Sequence, residues 1–104
     1  MIFKILADDK QTKARCGELL LGHHSIPTPV FMPVGTQGTV KTLTPQQIKE
    51  SHTKIILCNA YHLCLRPGEK IIKQLGGIHT FMGWDGAIIT DSGGYQVFSL
   101  SGLT

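Results

Sequence analysis

The sequence predicts an α/β protein in which a β-rich amino-terminal piece leads into parallel strands covered by helices. Three observations carry this. Up to about residue 34 the chain runs in short apolar stretches broken by turn residues and prolines. Beyond residue 35, compact apolar runs at 54–58 and 87–90 are too short for helices and read as buried strands. Between them lie segments with helix start and stop signals, and repeated strand–helix alternation implies parallel strands with helices over them.

Taken in order, Ile2, Phe3, Ile5 and Leu6 are strand-like, and Asp8-Asp9-Lys10 reads as a turn. A second strand is expected over 17–21, with Gly22 as the break and His23-His24 in a solvated turn. Residues 26–34 are apolar but carry Pro27, Pro29 and Pro33, which cannot donate to a sheet ladder. An extended segment is therefore expected, becoming a strand near 30–32 and ending in the Gly35-Thr36-Gln37-Gly38 loop. Thr44-Pro45-Gln46-Gln47 is a helix start: Thr44 caps, Pro45 takes the first helical position and Gln47 reaches back as in a capping box. That helix runs to about Ser51. After the strand at 54–58, residues 59–66 read as a loop. A second helix opens at Pro67 and stops at Gly76-Gly77. Residues 81–86 are turn-rich, with Asp85 the turn former of an Asp-Gly pair.

A hydrophobic fraction of 41% with 16% charged residues excludes a disordered or coiled-coil chain. The net charge of +3 is compatible with an RNA partner, although no Lys/Arg cluster stands out. Three cysteines, an odd number, argue against a disulfide scaffold. No apolar run approaches the roughly 20 residues that span a bilayer, and the first residues do not resemble a signal peptide, so a cytoplasmic protein without a membrane partner is expected. The parallel strands are few, and a sheet of that size leaves unpaired edges, so the 104 residues are expected to be one incomplete portion of a larger domain.

In α/β proteins functional groups collect where strands end at their carboxyl side. Three such ends are visible: Pro33-Val34-Gly35-Thr36-Gln37, Cys58-Asn59-Ala60-Tyr61-His62 and Asp91-Ser92-Gly93-Gly94-Tyr95-Gln96. The third is the richest. Asp91 can act as a general acid or base, a nucleophile or an acceptor for a base N–H, and equally as a helix cap or turn former. Tyr95 can stack on a flat heterocycle or fill a core. Gln96 and Asn59 can read amide edges and hydroxyls or satisfy loop backbone. Gly93-Gly94 lacks a following Lys-Ser/Thr and is no nucleotide P-loop. Cys58, His62 and Cys64 lie close in sequence but without a Cys-x-x-Cys pair or a second half-site, so no metal is expected in this chain, and Cys58 is expected in the core.

Four strings together resemble the tRNA-guanine transglycosylase family. They are Phe31-Met32-Pro33-Val34-Gly35-Thr36-Gln37, then Asn59-Ala60-Tyr61-His62-Leu63 with Leu65-Arg66-Pro67-Gly68 after it, then Phe81-Met82-Gly83-Trp84-Asp85-Gly86, and finally Thr90-Asp91-Ser92-Gly93-Gly94-Tyr95-Gln96-Val97-Phe98-Ser99-Leu100. They follow the family's order and cover nearly the whole chain from Arg15 onward. The resemblance implies the amino-terminal part of a (β/α)8 TIM barrel preceded by a small antiparallel β-sheet across one end, with the β-rich start at about 1–34 and the first strand–helix units at about 35–104. It also implies a base exchange: guanine at the wobble position of certain tRNAs is replaced by a 7-deazaguanine. The wording of Gln96 to Leu100 is similar to the bacterial type, which inserts 7-aminomethyl-7-deazaguanine on the route to queuosine.

By the same resemblance Asp91 is the general acid/base of the base pocket, and Ser92, Gly93 and Gly94 form a pocket loop that a flat base approaches closely. Tyr95 stacks on the base, while Asn59 and Gln96 sit near the ribose of the reacting nucleotide. Displacement at an anomeric carbon develops oxocarbenium character, which carboxylates stabilise or trap, as in retaining glycosidases. The family's nucleophilic aspartate and its structural zinc, held by three cysteines and one histidine, are expected downstream of this chain. The 104 residues are therefore expected to be inactive alone, and the full-length protein to be a homodimer. A non-catalytic, RNA-binding or accessory member of the family is the alternative, and an unrelated barrel enzyme acting on a small glycoside is a third.

Overall fold

A computed structural model of the chain describes residues 1–91. Strands β1 (Ile2–Asp8), β2 (Arg15–Leu21) and β3 (His24–Thr28) form an antiparallel sheet in the order β1-β2-β3. β1 pairs with β2 from Ile2↔Leu20 to Asp8↔Arg15, with a register shift between Ile5 and Ala7. β2 and β3 form a tight hairpin through Gly22, whose φ of +56° suits a residue without a side chain. The expected small antiparallel sheet is thus present. Its third strand is not where the sequence suggested: β3 covers His24–Thr28 and includes Pro27, whereas 30–32 is outside any strand. Pro27 is tolerated because β3 is an edge strand, with only β2 beside it. His24 accordingly opens β3, half-buried, and only His23 stays in the turn.

Helix α1 (Pro45–Glu50) begins as its sequence dictates. Thr44 Oγ1 accepts from Gln47 N at 3.2 Å, and Gln47 Oε1 accepts from Thr44 N at 2.9 Å. Two of the orphan N–H groups at the helix start are thereby satisfied. β4 (Ile55–Cys58) and β5 (Ala87–Thr90) pair in parallel with Ile55↔Ala87 and Cys58↔Thr90 in register. Val34 adds a parallel bridge on the other side of β4: Gly35 N donates to Leu57 O at 2.7 Å and Leu57 N to Pro33 O at 3.0 Å. The strand order is therefore the Val34 segment, β4, then β5, each connection passing through helix.

Those helices correct the sequence reading twice. Residues expected as a loop after β4 form α2 (Ala60–Leu65), and the turn-rich segment before β5 contains α4 (Ile78–Met82). Between them α3 (Glu69–Gln74) starts two residues after Pro67, not at it. Gly76 and Gly77, with φ near +97° and +95°, end α3 and turn the chain into α4, the stop the sequence announced.

β4 is buried on both faces, and its alternation divides the core. Ile56 and Cys58 pack with Ile48 of α1, Leu63 of α2 and Trp84, under Ile72, Ile78 and Phe81. Ile55 faces the other way and packs with Ala87 and with Ile26 of β3, flanked by Leu19 and Leu21 of β2. The antiparallel sheet thus lies against the amino ends of β4 and β5, leaving their carboxyl ends open. Cys58 is fully buried, as expected, and all three cysteines are free. Trp84 closes the helical core and donates its indole N–H to Ala87 O at 3.1 Å. Gly86 lies against the Trp84 ring so closely that a Cβ would collide with it.

Candidate functional site

β5 ends at Thr90, and Asp91 follows at the carboxyl end of the parallel strands. Its N–H reaches Cys58 O at 3.4 Å, extending the β4–β5 ladder by one residue and fixing where the carboxylate leaves the sheet. The half-buried carboxylate turns toward the end of β4. Oδ2 accepts from Asn59 Nδ2 at 3.1 Å and Oδ1 accepts from Ala60 N at 3.1 Å. Ala60 is the first residue of α2, so Asp91 satisfies one of the orphan donors of that helix and places negative charge at its start.

Asn59 does two jobs with one amide. Its Oδ1 accepts from His62 N at 2.9 Å as the N-cap of α2, and its Nδ2 donates to Asp91. The cap fixes the amide orientation, because a flipped Asn59 would present N–H to N–H at His62. The amide end that faces Asp91 is therefore always the donor. The structure brings together Asn59 and Asp91 from ends of two neighbouring strands, 32 positions apart. The remaining expected residues, Ser92, Gly93, Gly94, Tyr95 and Gln96, lie outside the described residues.

Asp91 accepts from one backbone donor, the N–H of Ala60, and presents its carboxylate at a strand end. Sequence reasoning missed the backbone N–H of Ala60 as its partner. The signal was an asparagine directly after an apolar strand, a preferred N-cap residue, which marks 59 as a helix start and not a loop.

Other nucleophiles are poorly placed. Burial pushes the Cys58 thiol up, and its Sγ lies 3.5 Å from Met82 Sδ in the core. The Cys64 thiol is raised chiefly by its hydrogen bond to the Glu69 carboxylate. It lines a mainly apolar cleft of about 610 Å³, formed with Leu63, Ile72 and Gly76. A protonated thiol is a weak nucleophile, so Cys64 does not make this cleft a reactive one. Among the described residues no three His, Cys, Asp or Glu side chains come together as a metal site, and no helix is long and apolar enough to cross a membrane.

Residues 9–104 match the family model described as "Queuine tRNA-ribosyltransferase". Among curated relatives, proteins named queuine tRNA-ribosyltransferase are 59% identical over 103 residues in Dictyoglomus turgidum and 60% identical over 101 residues in Caldanaerobacter subterraneus subsp. tengcongensis. A third, from Desulforudis audaxviator, is 53% identical over 103 residues. These alignments cover 99%, 97% and 99% of this chain but only 26%, 27% and 28% of the relatives, so the chain spans about a quarter of their length. The match runs through the strand ends that carry Asn59 and Asp91, and the chain belongs to the queuine tRNA-ribosyltransferase family.

Proposed function

We propose that the full-length protein exchanges guanine at the tRNA wobble position for 7-aminomethyl-7-deazaguanine, and that Asp91 is its general acid/base. The observation that carries the reading is the Asp91 carboxylate at the carboxyl ends of the parallel strands, within a chain of this family, held by two donors.

The chemistry follows from the residues. Departing guanine needs a proton and the incoming base must lose one, so one carboxyl group that gives and then takes a proton serves both half-reactions. Attack at the anomeric carbon by a second carboxylate, outside this chain, makes the exchange a double displacement in which both bases use the same face. Ser92, Gly93 and Gly94 line the flat pocket, Tyr95 stacks on the base, and Gln96 and Asn59 reach the ribose. The Val34 segment, β4 and β5 are the first staves of a (β/α)8 barrel whose amino end the antiparallel sheet covers. Closing the ring requires the remaining strands, so these 104 residues are inactive alone. The full-length protein is a cytoplasmic homodimer with a structural zinc. The described residues do not assemble that zinc site, and no step here runs through the metal.

The test is incorporation of labelled guanine into unmodified tRNA by the full-length protein. Asp91→Asn lowers turnover at least a hundredfold, the lower end of what a positioned acid/base contributes. Near-normal exchange in that variant removes Asp91 from the mechanism. Tight tRNA binding without exchange in the wild type replaces the enzyme with the accessory reading.

A further inference from the structure

A polar cleft of about 580 Å³ opens at the amino ends of the parallel strands, the opposite end from Asp91. It is lined by His23 and His24 of the β2–β3 hairpin, Lys49 of α1, His52 and Lys54 before β4, and Asp85 before β5. These groups sit on anchored elements. The hairpin is closed by the Leu21↔His24 pair. Lys54 O accepts from Ala87 N at 3.1 Å, which ties the lysine backbone to the start of β5. Lys49 Nζ is held by Asp85 Oδ1 at 2.9 Å.

The lining is rich in donors. Three imidazoles and two ammonium groups share the cleft with one carboxylate, which is already paired with Lys49. An ammonium carries three N–H bonds, so Lys49 keeps two of them after meeting Asp85. Lys54 makes no ion pair among the described residues. Two lysines less one aspartate leave a net positive charge before any imidazole is counted. Among the described residues no three of the His and Asp side chains come together as a metal site, so the imidazoles are not grouped around one cation. The backbone adds an independent observation. His52, with φ of +65°, is one of two non-glycine residues among the described ones in the left-handed region, and it follows the C-cap of α1, where glycine meets no steric penalty. An imidazole is thus placed at the cleft at a cost in backbone energy, and such strain collects at ligand sites.

We propose that this cleft binds a phosphate group, free or at the end of a small phosphomonoester. A tetrahedral phosphate offers acceptor oxygens in several directions, which matches donors arriving from the hairpin, from α1 and from the segment before β4. A planar carboxylate would meet fewer of them. Lys54 acts as a point charge on the phosphate, Lys49 is held in place by Asp85, and the imidazoles complete the shell. The volume lies in the range of small-molecule sites, which leaves room for the group that carries the phosphate. Neither Asp91 nor Asn59 lines this cleft, so the site stands apart from the base exchange proposed above.

The experiment titrates the full-length protein with orthophosphate and with glycerol phosphate at constant ionic strength, followed by phosphorus NMR. Lys54→Gln and His52→Gly should each weaken orthophosphate about threefold, and together about tenfold, as for charge-assisted contacts at exposed positions. His52→Gly relieves the backbone, so urea unfolding should find it at least as stable as the wild type, and its lost binding is then not lost fold. Asp85→Asn acts in the opposite sense: it removes the negative charge and releases Lys49, and should tighten orthophosphate about threefold. Tighter binding of glycerol phosphate than of orthophosphate assigns the cleft to a phosphorylated small molecule, and equal binding assigns it to the free ion. No bound phosphate in the wild type, an unchanged affinity in the Lys54→Gln, His52→Gly double variant, or weaker binding in Asp85→Asn overturns the proposal. Guanine exchange by the same variants should be unchanged. A wild-type protein that binds phosphate in this way but exchanges no guanine keeps this site and loses the proposed function.

Discussion

Asp91→Asn is nearly isosteric, yet the hydrogen bonds around it predict that it is not neutral for stability. The carboxylate accepts from two donors, Asn59 Nδ2 and Ala60 N, both at 3.1 Å. An asparagine at 91 keeps one oxygen and turns the other position into a donor. If the oxygen stays on Ala60 N, the new amide meets Asn59 Nδ2 donor to donor. If it turns to Asn59, the N–H of Ala60 is left without an acceptor at the start of α2. Asn59 cannot rescue the arrangement by flipping, because its Oδ1 is held by His62 N at 2.9 Å and losing that cap itself costs about 1 kcal/mol. One bond to a charged acceptor is lost in every arrangement. At a half-buried site that amounts to about 1–2 kcal/mol, toward the lower end of the range for charged partners. Urea unfolding of the full-length protein at neutral pH measures it. Asn59→Ala removes the same contact together with the cap, so the double variant should fall short of the sum of the singles by a similar amount. Wild-type stability in Asp91→Asn, together with strict additivity with Asn59→Ala, would refute the described geometry. Loss of exchange without loss of stability would point the same way, to a carboxylate that is not held by these donors.

Three further outcomes follow from the packing and the surface charge. Ile56→Ala removes a side chain that is 1% exposed between α1 and the β4–β5 pair, and should cost about 2–5 kcal/mol in the same unfolding measurement. Gly86→Ala drives a methyl into the Trp84 ring and should cost about 1–3 kcal/mol, with a change in tryptophan fluorescence, whereas a silent variant would mean that Trp84 relaxes freely. Asp85 is held below its usual value of 3.8 by the hydrogen bond from Lys49 and then by the lysine's charge. A carboxyl whose folded value is depressed stabilises the fold above its unfolded value and loses that contribution as pH falls through the depressed one. The stability difference between wild type and Asp85→Asn should therefore be small near neutral pH, vanish as pH falls through the depressed value and shrink in salt, since the pair is exposed. A difference that grows toward acid pH would contradict the pairing.

Local chemistry alone determined several elements of this chain. The capping box at Thr44 and Gln47, the double-glycine stop after α3, the two apolar runs that became β4 and β5, and the burial of Cys58 all depend on a few neighbouring residues and could be read directly from them. The placement of Asp91 at a strand end followed from the same reasoning, and the four family strings pointed to its role. Other features were settled only by contacts between distant segments. Pro27 is acceptable in β3 because that strand lies at the edge of the sheet, which no local pattern reveals. Residues 60–65 are helical because Asn59 and Asp91 together supply acceptors for the first turn of α2, and one of those acceptors, just past the end of β5, lies 31 positions beyond Ala60. The sequence could name both residues as polar groups at strand ends. Parallel pairing of β4 with β5 brought them within hydrogen-bond distance, because it is the ladder register that sets which side chains leave the sheet together.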